Sequence, residues 1–96
     1  MRAAQQLTEA VSYLEAQRPG AGWTLHELVE RMTERIVALP RSFPRVPARV
    51  TGEVRRGLIG RYGYWLIFEL LPDSRAAVVL SLWPTRRRPD GWRLAS

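Results

Sequence analysis

The sequence predicts an α+β domain in which a helical hairpin lies across one face of a small, twisted antiparallel sheet. Three observations predict it. Apolar residues recur at helical spacing through the first 40 positions, the period drops to two beyond residue 48, and Pro40, Pro44 and Pro47 separate the two regimes. The 96 residues, 46% of them hydrophobic, suit one core and read as a single domain (1–96): a hairpin over 1–40, a sheet over 48–83 and an arginine-rich tail over 84–96.

The first helix runs from Ala3 to about Gln17, with Leu7, Ala10, Val11 and Leu14 on one stripe. Pro19, Gly20 and Gly22 stop it. Thr24 and Glu27 have the S/T-x-x-E spacing of a capping box, and Trp23 with Leu28 has that of a hydrophobic staple, so the second helix is expected to begin at Thr24. Its stripe is Leu25, Leu28, Val29, Met32, Ile36 and Leu39, and Pro40 ends it. Residues 41–47 read as an extended linker. Val50–Ile59 is the first strand. Tyr62–Leu71 is the second, with Tyr62, Tyr64, Leu66, Phe68 and Leu70 on one face. Leu71 to Arg75 is turn chemistry. Ala76–Trp83 is the third strand and, apolar on both faces, the one expected at the centre of the sheet.

Cysteine is absent, which excludes disulfides and thiolate chemistry; no Asp, Glu and His grouping has metal-ligand spacing, and no cofactor fingerprint is present. The longest apolar run is too short to cross a bilayer, and no signal peptide is visible, so a cytoplasmic location without a membrane partner is expected. All 15 basic residues are arginine, and the net charge is +6. Residues 1–40 carry a net of −1 and residues 41–96 a net of +7. A GC-rich genome accounts for arginine in place of lysine but not for that lopsidedness, which points to an anionic partner of the second half.

The stretch Gly60-Arg61-Tyr62-Gly63-Tyr64-Trp65-Leu66-Ile67-Phe68-Glu69, then Val78 to Trp83, then Arg86-Arg87-Arg88 and Trp92, resembles the C-terminal sheet of the RelE/ParE family of toxins from type II toxin–antitoxin systems. The hairpin ending at Leu39-Pro40 fits the same layout, so the resemblance spans almost the whole chain through loose motifs. It implies a RelE/ParE-like fold; the family's usual first strand is missing ahead of the first helix, so either the start lies upstream of Met1 or the sheet lacks an edge strand. It also implies a growth-inhibiting toxin that cleaves messenger RNA on the ribosome or poisons DNA gyrase, and that an acidic antitoxin neutralises. Many relatives place a histidine after the last strand; here that position is Pro84, and the only histidine, His26, lies in the helical half.

RNA cleavage requires a base, an acid and cations for the phosphorane. Arginine serves the last role through its planar fork. Arg55, Arg56, Arg61, Arg86, Arg87 and Arg88 are therefore the candidate residues for binding target or antitoxin, on the expectation that they gather on one sheet surface. Arg61, which matches the family's groove arginine, and Glu53 are the candidate catalytic residues. The plainer readings are a solubilising arginine at a strand start and a solvated strand-end carboxylate. Tyr62 and Tyr64 read either as a stacking platform or as residues buried under the helices, and Trp92 either as a base-stacking residue or as one folded back onto the core. Two further functional classes stay open: a non-catalytic nucleic-acid-binding module or decayed toxin, and an adaptor whose open sheet edge pairs with another chain.

Overall fold

The computed structural model describes residues 2–47, 50–73 and 76–93. Two helices, α1 (Arg2–Gln17) and α2 (Ala21–Ala38), are followed by a 3₁₀ turn at Pro40–Ser42. Three strands come next, β1 (Glu53–Ile59), β2 (Tyr64–Leu70) and β3 (Ala77–Pro84), and a second 3₁₀ turn closes the described chain at Gly91–Arg93. The helices pack on a three-stranded antiparallel sheet, the α+β arrangement that the change of period implies. No helix among the described residues is long and apolar enough to cross a membrane.

The hairpin closes through one carboxylate. Glu15 accepts the backbone N–H of Gly20 through Oε2 (2.9 Å) and that of Gly22 through Oε1 (3.0 Å). These are donors that the start of α2 would otherwise leave unsatisfied. With them satisfied from α1, α2 begins at Ala21, three residues before the expected capping box. Gly20, at φ +91°, supplies the left-handed N-cap. Thr24 then lies inside the helix and donates its hydroxyl to Gly20 O, while Trp23 is exposed and stacks on His26 instead of stapling Leu28. The helices approach closely at Gly22, where a Cβ would stand 2.5 Å from Val11 O.

β2, not β3, is the central strand: the order is β1-β2-β3, two consecutive antiparallel hairpins. Apolar residues on both faces of β3 do not require two strand neighbours, because other parts of the chain cover them. On the helix side, Leu25, Ile36 and Phe68 are essentially inaccessible and pack with Leu66, Leu70 and Leu82. On the other side, Val46, Val54, Ile67, Trp83 and Trp92 form a second cluster. Trp92 therefore folds back onto the core. Burying side chains of this size contributes about 1.5–3 kcal/mol each.

Residues 41–47 are not a free linker. After the 3₁₀ turn, Phe43 is buried against Phe68, and the chain then runs beside β1. Val46 N–H donates to Val54 O (2.9 Å) and Arg56 N–H to Pro44 O (3.1 Å). β1 itself starts at Glu53, later than expected, and passes through Gly57, where a Cβ would meet Met32 Sδ at 2.6 Å. The far edge of β3 is closed from α1: Arg2 donates to Leu80 O (3.1 Å), and Leu82 N–H donates to Gln6 Oε1 (2.9 Å). Both sheet edges are thus partly covered, which bears against an open-edge adaptor. The register shifts at Ile67/Phe68, which face Ser81 and Val79 and leave Leu80 unopposed, a β-bulge. The turn after β2 is closed by Leu71 N–H to Ala76 O (2.9 Å); its Ser74 and Arg75 lie outside the described residues, as do Ala48, where the sheet was expected to begin, and Leu94–Ser96 at the tail's end.

Candidate nucleic-acid interface

The period-two geometry of β1 decides where its arginines go. Arg55 pairs with Phe68 and Arg56 with Ile67, so adjacent arginines project to opposite faces. Arg55 is held on the helix side: its Nε donates to Glu53 Oε2 (2.9 Å) and its Nη1 to Phe43 O. Arg41 reaches the other Glu53 oxygen at 3.3 Å. This hydrogen bond from Arg55, with the positive charge of Arg41 and Arg45, holds the Glu53 carboxyl below its ordinary value, against a smaller opposing effect of desolvation. Glu53 and Arg55 tie the 41–47 segment to β1.

Arg56 lies on the other face with its guanidinium 3.8 Å from the centre of the Trp65 ring. Trp65 pairs across the strands with Trp83, over which Arg87 sits at 5.4 Å. Trp83 Nε1 donates to Arg88 O (2.8 Å), which pins the tail, and the Arg88 side chain approaches Asp90 at 3.6 Å. Arg61 is exposed in the β1–β2 turn, 5.6 Å over Tyr62. The six arginines therefore do not share one sheet face. Arg61 and Glu53 stand at opposite ends of β1, roughly 20 Å apart by strand rise, so no single site contains both.

What the fold does bring together is a cleft of about 820 Å³ between α1 and the end of the sheet where β1 turns into β2 and β3 leaves. All three tyrosines of the chain, Tyr13, Tyr62 and Tyr64, line it together with Arg86 and Arg87. Tyr13 comes from α1, one helical turn beyond Glu9 and two beyond Gln6, so the three share one flank of the helix. The sheet side is fixed by Gly63. At φ +71° it donates its N–H to Ile59 O (3.1 Å) and accepts that of Thr85 (2.8 Å), so the β1–β2 turn carrying Tyr62 is locked to the segment carrying Arg86. None of the three rings stacks on another; the stacked or edge-on ring pairs among the described residues are Trp23–His26 and Phe43–Phe68.

Burial pushes the Tyr64 phenol above its ordinary value, outweighing Arg86 and Arg87, which pull the other way. Tyr64 therefore stays a hydrogen-bond donor throughout the neutral range. Among the described residues, the ion pairs of arginine join Arg41 and Arg55 to Glu53 and Arg88 to Asp90. Arg56, Arg61, Arg86 and Arg87 form no ion pair among the described residues. The sequence reasoning singled out Tyr62, Tyr64 and the arginines but missed Tyr13, Glu9 and Gln6. Their spacing at positions 6, 9 and 13 is a polar helical stripe beside the apolar one, a signal present in the sequence yet indistinguishable there from an ordinary solvated flank. Comparison with protein-family models, with curated proteins and with solved structures finds no match.

Proposed function

We propose that this chain is the toxin of a type II toxin–antitoxin pair, acting in the cytoplasm on RNA through the tyrosine–arginine cleft and held in check by an acidic antitoxin. The observation that carries this reading is the convergence of three tyrosines with two unpaired arginines in one cleft. Aromatic faces stack on unpaired bases, and guanidinium groups take phosphate oxygens bidentately. The RelE/ParE resemblance supports the same reading. The reading rests on the cleft, not on an arginine-covered sheet face. The antitoxin's acidic residues would take Arg56, Arg61 and the cleft arginines, which form no ion pair among the described residues.

Within this reading Arg86 and Arg87 hold the phosphate and stabilise charge as it builds there, and Tyr64 donates a proton or hydrogen bond to a phosphate oxygen. Induction of the intact chain in a bacterial host is expected to arrest growth and to produce new message 5′ ends on primer extension. The double variant R86A/R87A should relieve both while keeping its circular dichroism. Unimpaired growth with soluble, folded protein would overturn the proposal. Inhibited supercoiling without new message ends would move the target to gyrase.

A second reading, a non-catalytic RNA-binding module, uses the same cleft and asks for no base, which suits a Tyr64 phenol that burial holds in its protonated, donating form. That reading expects RNA binding that weakens steeply between 50 and 200 mM salt, with no new 5′ ends and no growth arrest.

A further inference from the structure

Resting on the reading of the cleft as an RNA site, we propose that its α1 wall selects guanine. Glu9 would accept the N1–H and N2–H of the base, and the Gln6 side-chain amide would donate to O6.

The cleft is polarised. Its sheet side carries Arg86 and Arg87, and Glu9 on the helix side is the only acidic residue among the described lining residues. Charges of opposite sign line one cleft, yet Glu9 forms no ion pair with either arginine; the ion pairs of the described residues lie elsewhere. A ligand that is anionic throughout can meet Arg86 and Arg87 but finds no partner in Glu9. A nucleotide can meet both, because it presents a phosphate at one end and ring N–H donors at the other, joined by a planar base that the tyrosines can face.

Gln6 sets the second half of the pattern. Leu82 N–H can only donate, so the Gln6 atom facing it at 2.9 Å is the carbonyl oxygen, which also takes the Ser81 hydroxyl at 3.1 Å. That fixes the amide orientation and leaves Nε2 as a donor with no partner among the described residues. Gln6 and Glu9 are three residues apart on one helix and so are neighbours on its surface. Together they offer a donor beside a two-oxygen acceptor. Adenine, cytosine and uracil each present a single N–H-bearing position toward such a pair. Guanine presents two adjacent donors, N1–H and N2–H, that fill both carboxylate oxygens, with O6 alongside for the amide.

The test is equilibrium binding of the intact chain to the RNA trinucleotides UGU, UAU, UCU and UUU at 50 mM salt, followed by fluorescence. UGU is expected to bind about tenfold more tightly than the others, within the range of one bidentate base contact. Glu9 is exposed, so E9Q preserves the fold; a glutamine offers one acceptor oxygen where the carboxylate offers two, and the preference for UGU should fall to about twofold or less. Equal binding of the four trinucleotides by the unaltered chain, or a guanine preference that survives in E9Q, overturns the guanine assignment and leaves the RNA reading standing. If none of the four binds, the RNA reading and the guanine assignment fall together.

Discussion

Leu82 N–H, on the outer edge of β3, donates to the side-chain oxygen of Gln6 in α1 at 2.9 Å, across 76 positions of sequence. The same oxygen takes the hydroxyl of Ser81, a fully buried polar residue. One amide thus satisfies two buried donors, closes part of a strand edge and holds the helix that forms one wall of the cleft.

Replacing Gln6 with leucine keeps the bulk and removes the acceptor. Leaving a buried N–H and hydroxyl unpaired should lower stability by about 1–3 kcal/mol, read as a fall in the midpoint of urea unfolding at unchanged slope. Reopening the edge should also promote self-association, seen as a concentration-dependent mass in light scattering.

Gly57 is the point where β1 passes under the hairpin. An added Cβ would lie 2.6 Å from Met32 Sδ and 2.9 Å from Phe43 Cε2. Gly57→Ala should cost about 1–3 kcal/mol through overpacking, and should cost less when introduced into an M32A background than into the parent. A variant as stable as the parent would show that this contact relaxes freely.

The Glu53 carboxyl is held low by Arg55 and Arg41, so the folded form keeps the ionised group where the unfolded chain has begun to protonate. The sign follows: its contribution is complete above the ordinary value of 4.5 and is lost as the pH falls through the lower folded value. E53Q should therefore be less stable than the parent at pH 6, and the gap should narrow below about pH 4. Urea midpoints across pH 3–6 test this; a gap independent of pH would mean the carboxylate's charge plays no part.

Tyr64 behaves oppositely. Its phenol titrates above the ordinary 10.0 in the fold, so the unfolded chain releases that proton first and stability falls as pH rises beyond that value. Absorbance near 295 nm should show a late-titrating component that Y64F abolishes. Loss of the late component in R86A/R87A would contradict burial as its cause, because removing those cations should move Tyr64 further up.

Much of the fold was legible because it depends on local period. The apolar stripes of α1 and α2, the alternation through Tyr64–Leu70 and the proline-marked change between them are properties of consecutive residues, and each formed the expected element. The errors came where a distant group intervened. Thr24 and Glu27 spell a cap, but Glu15 reaches the end of α2 from the previous helix and satisfies its N–H groups first. β3 reads as central because both its faces are apolar, yet Trp92 and the helices supply the cover that neighbouring strands would have supplied.

The site divides in the same way. Sequence alone determined that the second half is strongly basic and that its tyrosines and arginines lie in or beside the predicted strands; it was the strand register that turned Arg55 and Arg56 to opposite faces, against the expectation of one shared surface. Only tertiary structure decided which of them meet. It tied Arg55 to Glu53, laid Arg56 on Trp65, and drew Tyr13 from the first helix to Tyr64 and Arg86 near the other end of the chain. The physical reason is that backbone period is set by neighbours a few residues away, whereas a cleft is set by how whole elements dock, through contacts such as Gln6 to Leu82 that no local pattern records.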